Sequence, residues 1–414
     1  MKGIRIVLWI VLVCLAVSSW LASELIEPIS SAISTAEVLS SDTRVTTSPA
    51  YQPKAPFAYV FLVGGCDPDQ SDAYRPFLYN VLVATSLLRE LGSRGDVVVM
   101  IQFKANSPHT VLSPEETRWL KALHVRIRYL PKSTTTDSYY KTQFDKFRIL
   151  NMTEYPQGVL FLDADAMPVS NLDYIFHSDI IKENMIISRP HSPANGGFFK
   201  LTPGGQTDLR EADAIMATRE QLGKDKQFYF DDIQGWGHVI DINDLWLTNK
   251  GRKGYKWDFY AAFADQGFLY HWVKYSKKEV TMIIGSQIQE WTRGVNGVLV
   301  KERTLNTDLL EKESQPLKCF QYCTPVLRDY VHFGQQQKPW LHQPPDFLTD
   351  ETRLDTAQNL WYHTLKKLNE EFRMGLDFVH WKAQPPPLGL KPSWEQSLGA
   401  QIRFDGPESV FIDG

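Results

Sequence analysis

Short blocks of consecutive apolar residues alternate along this chain with amphipathic stretches. Ala58-Tyr59-Val60-Phe61-Leu62-Val63 runs into Gly64-Gly65; Asp96 to Gln102, His124 to Tyr129 and Val159-Leu160-Phe161-Leu162 follow. Runs of this length, rich in β-branched and aromatic residues, read as strands covered on both faces, the habit of parallel sheets. Between them, Leu78 to Leu91 reads as a helix stopped by Gly92. Ser113-Pro114-Glu115-Glu116 opens another helix as N-cap, proline and acidic first turn, and Lys146 to Met152 belongs to a third. Strands alternating with helices predict an α/β fold with a doubly wound, mostly parallel sheet. Beyond Pro203 the alternation weakens. Glu211 to Gly223 and the stretch opened by Asp265 read as helices, whereas Lys226 to Asp258 is aromatic, Gly-rich and irregular, a lid or an acceptor-binding insertion. A last helix is expected near Ala357 to Arg373, before a Pro-rich tail around Pro385, Pro386 and Pro387.

The amino-terminal pattern differs from all of this. Lys2 and Arg5 precede an apolar run from Ile6 to Ala22, broken by Ser18 and Ser19 and followed by Glu24 and Glu27. Positive charge before such a run predicts a cytoplasmic amino terminus, hence a single-pass type II membrane anchor. The cluster of small residues at Ser18, Ser19, Ala22 and Ser23 equally fits a cleaved signal peptide. Both readings send the chain into the secretory pathway, to a Golgi-type or other secretory membrane with its bulk on the lumenal side. From Ser23 to Pro56, Ser, Thr, Ala and Pro predominate, so this stretch reads as a flexible stem.

Composition narrows the functional classes only a little. A net charge of −4 over 414 residues lacks the basic excess of a nucleic-acid binder. After the apolar run come Cys66, Cys319 and Cys323, an odd number that implies no complete disulfide framework; Cys319 and Cys323 can pair with each other or with Cys66. One glycosylation sequon, Asn151-Met152-Thr153, falls between a predicted helix and a predicted strand.

The chemistry begins at the carboxyl end of the fourth strand, where Val159 to Leu162 leads into Asp163-Ala164-Asp165. In extended backbone, side chains at i and i+2 point the same way, so Asp163 and Asp165 can reach one ion together. The carboxyl edge of an open α/β sheet is where ligands bind, and a divalent cation removes the repulsion of two facing carboxylates. The plainer reading is a strand followed by an acidic turn. Further along, Lys146 sits in Lys-Phe-Arg-Ile-Leu just before this strand. Asn195-Gly196-Gly197-Phe198-Phe199 is a Gly-rich turn into a short strand, Asp265-Gln266-Gly267 opens a helix, and His332-Phe333-Gly334 leads to Lys338-Pro339-Trp340. Taken singly, His332 reads as a core histidine, Asp265 as a helix N-cap, Lys146 and Lys338 as surface charge, and Asn195-Gly196-Gly197 as a plain turn.

Taken in order, these motifs resemble the glycogenin-like retaining glycosyltransferases, family 8, over roughly Phe57 to Trp340. The resemblance implies a GT-A-type nucleotide-sugar-binding fold and a manganese ion held by Asp163, Asp165 and His332. The ion would bridge the phosphates of a UDP-sugar donor. It implies further that Lys338 adds a cation at the diphosphate and that Lys146 lies near the phosphates and the sugar. Asn195, Gly197, Asp265 and Gln266 would line the sugar, the last two beside the reacting carbon. Val63 and Gly64 would sit under the base, with Tyr74 or Tyr79 in one further role there. The expected organisation is an anchor or signal over 1–22, a stem over 23–56, a catalytic domain over 57–345 and a helical, Pro-rich extension over 346–414. The expected reaction moves a hexose or pentose to a glycan or glycoprotein acceptor. A lumenal nucleotide-sugar-binding protein and a nucleotide-sugar hydrolase are the rival readings.

Overall fold

A computed structural model describes residues 53–132, 143–188, 192–226, 230–240, 256–259, 261–275, 278–284, 287–293, 299–306, 326, 328–334, 336–345, 356–381 and 410–412. The apolar run, nearly all of the stem, Cys319, Cys323, residues 241–255 of the irregular stretch and the Pro-rich tail lie outside them. Among the described residues no helix is long and apolar enough to cross a membrane.

The first strand, β1 (Phe57–Cys66), lies at the heart of a ten-stranded sheet, between β2 (Asp96–Phe103) and β4 (Gly158–Asp163), and pairs with both in parallel. β3 (Val125–Tyr129) extends the parallel set beyond β2. This quartet is the parallel core predicted from the apolar runs. Alternate residues of β1 feed opposite faces: Tyr59, Phe61 and Val63 pack on one side, Ala58 and Val60 on the other. With both faces covered, no polar alternation is needed, and so the runs are continuous. After β4, the short β5 (Ala166–Pro168) leaves the main sheet. The sheet then continues as β7 (Phe198–Leu201), β6 (Asn184–Ser188), β8 (Val280–Ile284), β9 (Gln287–Arg293) and β10 (Leu299–Asn306). Of these contacts only β6–β8 is parallel. β5 instead pairs antiparallel with β11 (Tyr330–His332), and β12 (Val410–Ile412) closes the far edge against β3.

Helices α1 (Arg75–Glu90) and α2 (Pro114–Ala122) cover one face, together with α5 (Ala357–Phe372). The segment Gln143–Asn151, α3 (Gln206–Gly223) and α4 (Asp265–Tyr275) cover the other. The predicted start of α2 is a complete capping box. Glu116 N–H donates to Ser113 Oγ at 3.2 Å, and Glu116 accepts from the Ser113 amide at 3.1 Å. Helix α1 is buried almost all round, because the sheet lies beneath it and α5 above it. The extension expected beyond residue 345 therefore contributes to the same core: Trp361 and Leu365 of α5 are fully buried.

Three local expectations change. The segment around Lys146 is 3-10 helix over Gln143–Asn151, not α-helix. Helix α3 starts at Gln206, five residues before Glu211. Its N-cap is Gly205 at φ 71°, a left-handed conformation that carries no side-chain cap and so leaves no polar start signal. Strand β4 ends at Asp163, with Ala164 and Asp165 forming a turn before β5.

Candidate active site

Because the strand ends at Asp163, its carboxylate and that of Asp165 are not brought together by strand alternation. Three backbone pairings around the turn do it. The Asp163 amide donates to Gly197 O (2.9 Å), which ties β4 to the Gly-rich turn. On the other side of the turn, Ala166 is the register partner of His332 in the β5–β11 pair, and the Phe333 amide donates to Asp165 O (3.0 Å). Behind β11, Tyr330 stacks on Phe198 with centroids 4.1 Å apart, and buried Asp329 accepts from the Tyr174 hydroxyl (2.6 Å). A strand of three residues is thereby held in place by the core.

His332 Nε2 consequently lies 3.0 Å from Asp165 Oδ1 and 3.7 Å from Asp163 Oδ2. One atom from each of the three residues falls within a 4.8 Å cluster. Two carboxylates and one imidazole suit a hard-to-borderline divalent ion such as manganese better than a thiol-loving one. The backbone fits as well. A Cβ on Gly197 would stand 2.5 Å from Asp163 Oδ2 and 3.0 Å from His332 Cε1, so glycine is what leaves the cluster its room.

Two lysines reach the carboxylates from opposite sides. Lys338 Nζ lies 2.8 Å from Asp165 Oδ2, its ammonium 4.8 Å above the Phe77 ring and 5.8 Å from Trp340. Lys146, 1% exposed, donates to Asp265 Oδ2 (2.8 Å), to Gly196 O (2.9 Å) and to Asp163 Oδ1 (3.4 Å). Burial disfavours the Lys146 charge, but Asp163 and Asp265 outweigh it and raise the pKa above its ordinary value. Burial raises Asp163, with Lys146 opposing and Asp165 reinforcing the shift. At Asp165 burial is overcome by His332 and Lys338, which hold the carboxyl far below the usual range. Three carboxylates against two ammonium groups leave an excess of one negative charge when His332 is neutral, a field that favours a cation.

The Gly-rich turn completes the wall. Asn195 Oδ1 accepts from the Gly197 amide (3.1 Å), while its buried Nδ2 has no hydrogen-bond partner among the described residues. Such a donor points to a ligand or water at this place. Gln266, the second residue of α4, accepts from the Ser192 hydroxyl at 2.7 Å. A Cβ on Gly196 would stand 2.0 Å from Asp265 Oδ2, so this glycine too is set by close approach.

The structure thus gathers Asp163, Asp165, His332, Lys146, Lys338, Asp265 and Gly197, with Asn195 and Gln266 in the adjoining wall. Val63 and Gly64 lie beside them, since Leu62 is the β1 partner of Asp163; Val63 is buried and Gly64 exposed at the sheet edge. Tyr74 is tied to α2. Its ring is buried, and its hydroxyl lies 2.8 Å from both carboxylate oxygens of Glu116, which also binds Arg75 Nε at 2.7 Å. Tyr79 packs against Trp119. Sequence reasoning missed Gly196 as the carbonyl beneath Lys146, Ser192 behind Gln266, and Phe77 under Lys338. It also missed Asn80, whose one available signal was a lone amide within an apolar helix.

No protein-family model matches the chain. Over 164 residues, 40% of this chain, it is 25% identical to UDP-glucuronate:xylan alpha-glucuronosyltransferase 1 of Arabidopsis thaliana, covering 24% of that protein. Over 146 residues, 33% of this chain, it is 26% identical to the enzyme numbered 2 of the same name and plant, covering 23% of it. The chain spans a third or less of the length of the curated relatives it matches. Among solved structures, the glycosyltransferase GlyE of Streptococcus pneumoniae TIGR4 aligns at a TM-score of 0.37 and 12% identity, over 79% of this chain and 65% of that one. In sequence, the chain is similar over part of its length to plant enzymes named as glucuronosyltransferases.

Proposed function

We propose that the protein is a metal-dependent retaining glycosyltransferase that moves a sugar from a UDP-sugar to a glycan or glycoprotein acceptor. The observation that carries this reading is the convergence of Asp163, Asp165 and His332 between two lysines at the carboxyl edge of the sheet. The relatives named above use UDP-glucuronate, which makes that donor the first to test. Residues 1–22 and 23–56 serve as membrane anchor and stem in a Golgi or other secretory membrane.

Asp163, Asp165 and His332 would hold the manganese, which when bound supplies Lewis-acid stabilisation of the diphosphate leaving group. Breaking the sugar–phosphate bond builds negative charge on that diphosphate, and Lys338 presents a fixed cation to it. The wall of Asn195, Gly197 and Gln266 orients the sugar. Asp265 has its Oδ2 fixed by Lys146, so its carboxylate stands ready beside the anomeric carbon. There it serves either as a covalent nucleophile or as a neighbouring negative charge for front-side attack. Lys146 holds that carboxylate still and shields it from Asp163. The edge formed by Val63 and Gly64 lies under the base.

The test follows UDP release by the full chain with manganese and a panel of UDP-sugars, with and without glycan acceptors. Release from one donor, stimulated by an acceptor and abolished by a chelator, is expected. Release that ignores acceptor would make the protein a hydrolase, and binding without release would make it a recognition protein.

A further inference from the structure

Helix α5 lies beyond the motifs that resemble family 8, yet its polar contacts converge on the loop that carries Lys338. Tyr362 donates through its hydroxyl to Pro339 O and to His342 O, the latter at 2.7 Å. One turn earlier, Gln358 Nε2 donates to Gln337 O at 3.0 Å. The carbonyls on either side of Lys338 are therefore both tied to the same helix. Between these two residues, Trp361 packs on Trp340 with centroids 5.8 Å apart and donates its indole N–H to Asn80 Oδ1 at 3.0 Å. Asn80 in turn donates to Ala166 O at 2.9 Å, on the residue paired with His332. Helix α5 thus grips both the Lys338 loop and the strand that follows Asp165. Trp361 and Tyr362 are buried, 0% and 1% exposed, so these ties are shielded from water.

Lys338 has a long side chain with four rotatable bonds, and its contacts with Asp165, Phe77 and Trp340 hold only while its backbone keeps its place. The single 3-10 turn that follows it, Pro339–Leu341, is too short to hold such a group by itself. We propose that α5 is a clamp that presents Lys338 to the donor diphosphate, with Tyr362 as its main positioning residue and Gln358 as the second. This rests on the reading of Lys338 as a diphosphate contact.

The test is calorimetric titration of UDP, at saturating Mn2+, into the full chain and its Y362F, Q358A, K338M and Y362F/K338M variants, with melting curves to confirm folding. Y362F removes one hydroxyl and keeps the buried ring. Its expected effect is a roughly three- to tenfold loss of UDP affinity, the size of one hydrogen bond, and Q358A about twofold. In the K338M background the Y362F loss should disappear, because a residue that acts through Lys338 has nothing left to position. Undiminished UDP affinity in Y362F, or an equal loss with and without Lys338, would overturn the clamp. Should Y362F fail to fold, Q358A, at a half-buried position, with its own K338M partner decides the matter in the same way. If the parent chain binds no UDP, the functional reading itself falls and the clamp with it. If K338M weakens UDP while Y362F and Q358A do not, only the clamp falls.

Discussion

Lys146 Nζ stands 2.8 Å from Asp265 Oδ2 and 3.4 Å from Asp163 Oδ1, so one buried ammonium joins the residue at the proposed reacting carbon to a proposed metal ligand. The two acids lie 102 positions apart in the chain and arrive from different elements, the end of β4 and the first turn of α4. Lys146 is the hub that makes one site of them.

Lys146→Met should therefore damage the fold as well as the chemistry. It leaves Asp265 buried without its counter-ion, a loss of about 3 kcal/mol of unfolding free energy. The double variant K146M/D265N should regain much of that stability and none of the proposed transferase activity. Urea unfolding of the parent and the two variants checks this; equal stability of K146M and the parent would refute the hub.

Asp163→Asn and Asp165→Asn each remove a charged ligand atom from the cluster. Mn2+ affinity, followed by the electron paramagnetic resonance of the free ion, should fall roughly a hundredfold or more in either, a larger loss than that from removing an outer partner. An unchanged affinity would show that the ion, if any, binds elsewhere.

Gly197→Ala tests the same cluster without touching a ligand. The added methyl stands 2.5 Å from Asp163 Oδ2, so the carboxylate must shift. Mn2+ affinity should drop about tenfold or more, while the melting temperature moves by only a few degrees, roughly the effect of 1 kcal/mol.

Acid should weaken the domain through two histidines away from the site. His271 of α4 and His238 have rings 5.0 Å apart. Burial pushes both down to about 3, with His271 and Lys274 adding to the effect at His238. In the unfolded chain each returns to about 6.5. Between these values the unfolded state binds protons that the folded state refuses, so stability falls as pH drops below about 6.5. The slope is at most about 1.4 kcal/mol per pH unit for His271 and smaller for the partly exposed His238. Urea midpoints at pH 7, 5.5 and 4.5 should show the decline, and His271→Phe should flatten it. An identical slope in that variant would rule out His271 as the cause.

What the sequence by itself determined was local and periodic. The apolar runs at 58–63, 96–102 and 159–162 specified the parallel core, since a strand covered on both faces has no polar position to offer. Ser113 and Glu116 announced the start of α2, because a capping box is chemistry within one turn. The residues of the candidate site stood out as a set of motifs in a particular order.

Only the tertiary structure decided how they meet. Asp163 and Asp165 converge across a turn, and His332 reaches Asp165, 167 positions away, because β11 pairs with β5. Nor does anything local to Tyr362 or Trp361 announce a partner at Pro339 or Asn80, for a helix periodicity reports that a face is buried and not against what. Pairings between distant segments depend on packing summed over the whole core, so no window of sequence contains them.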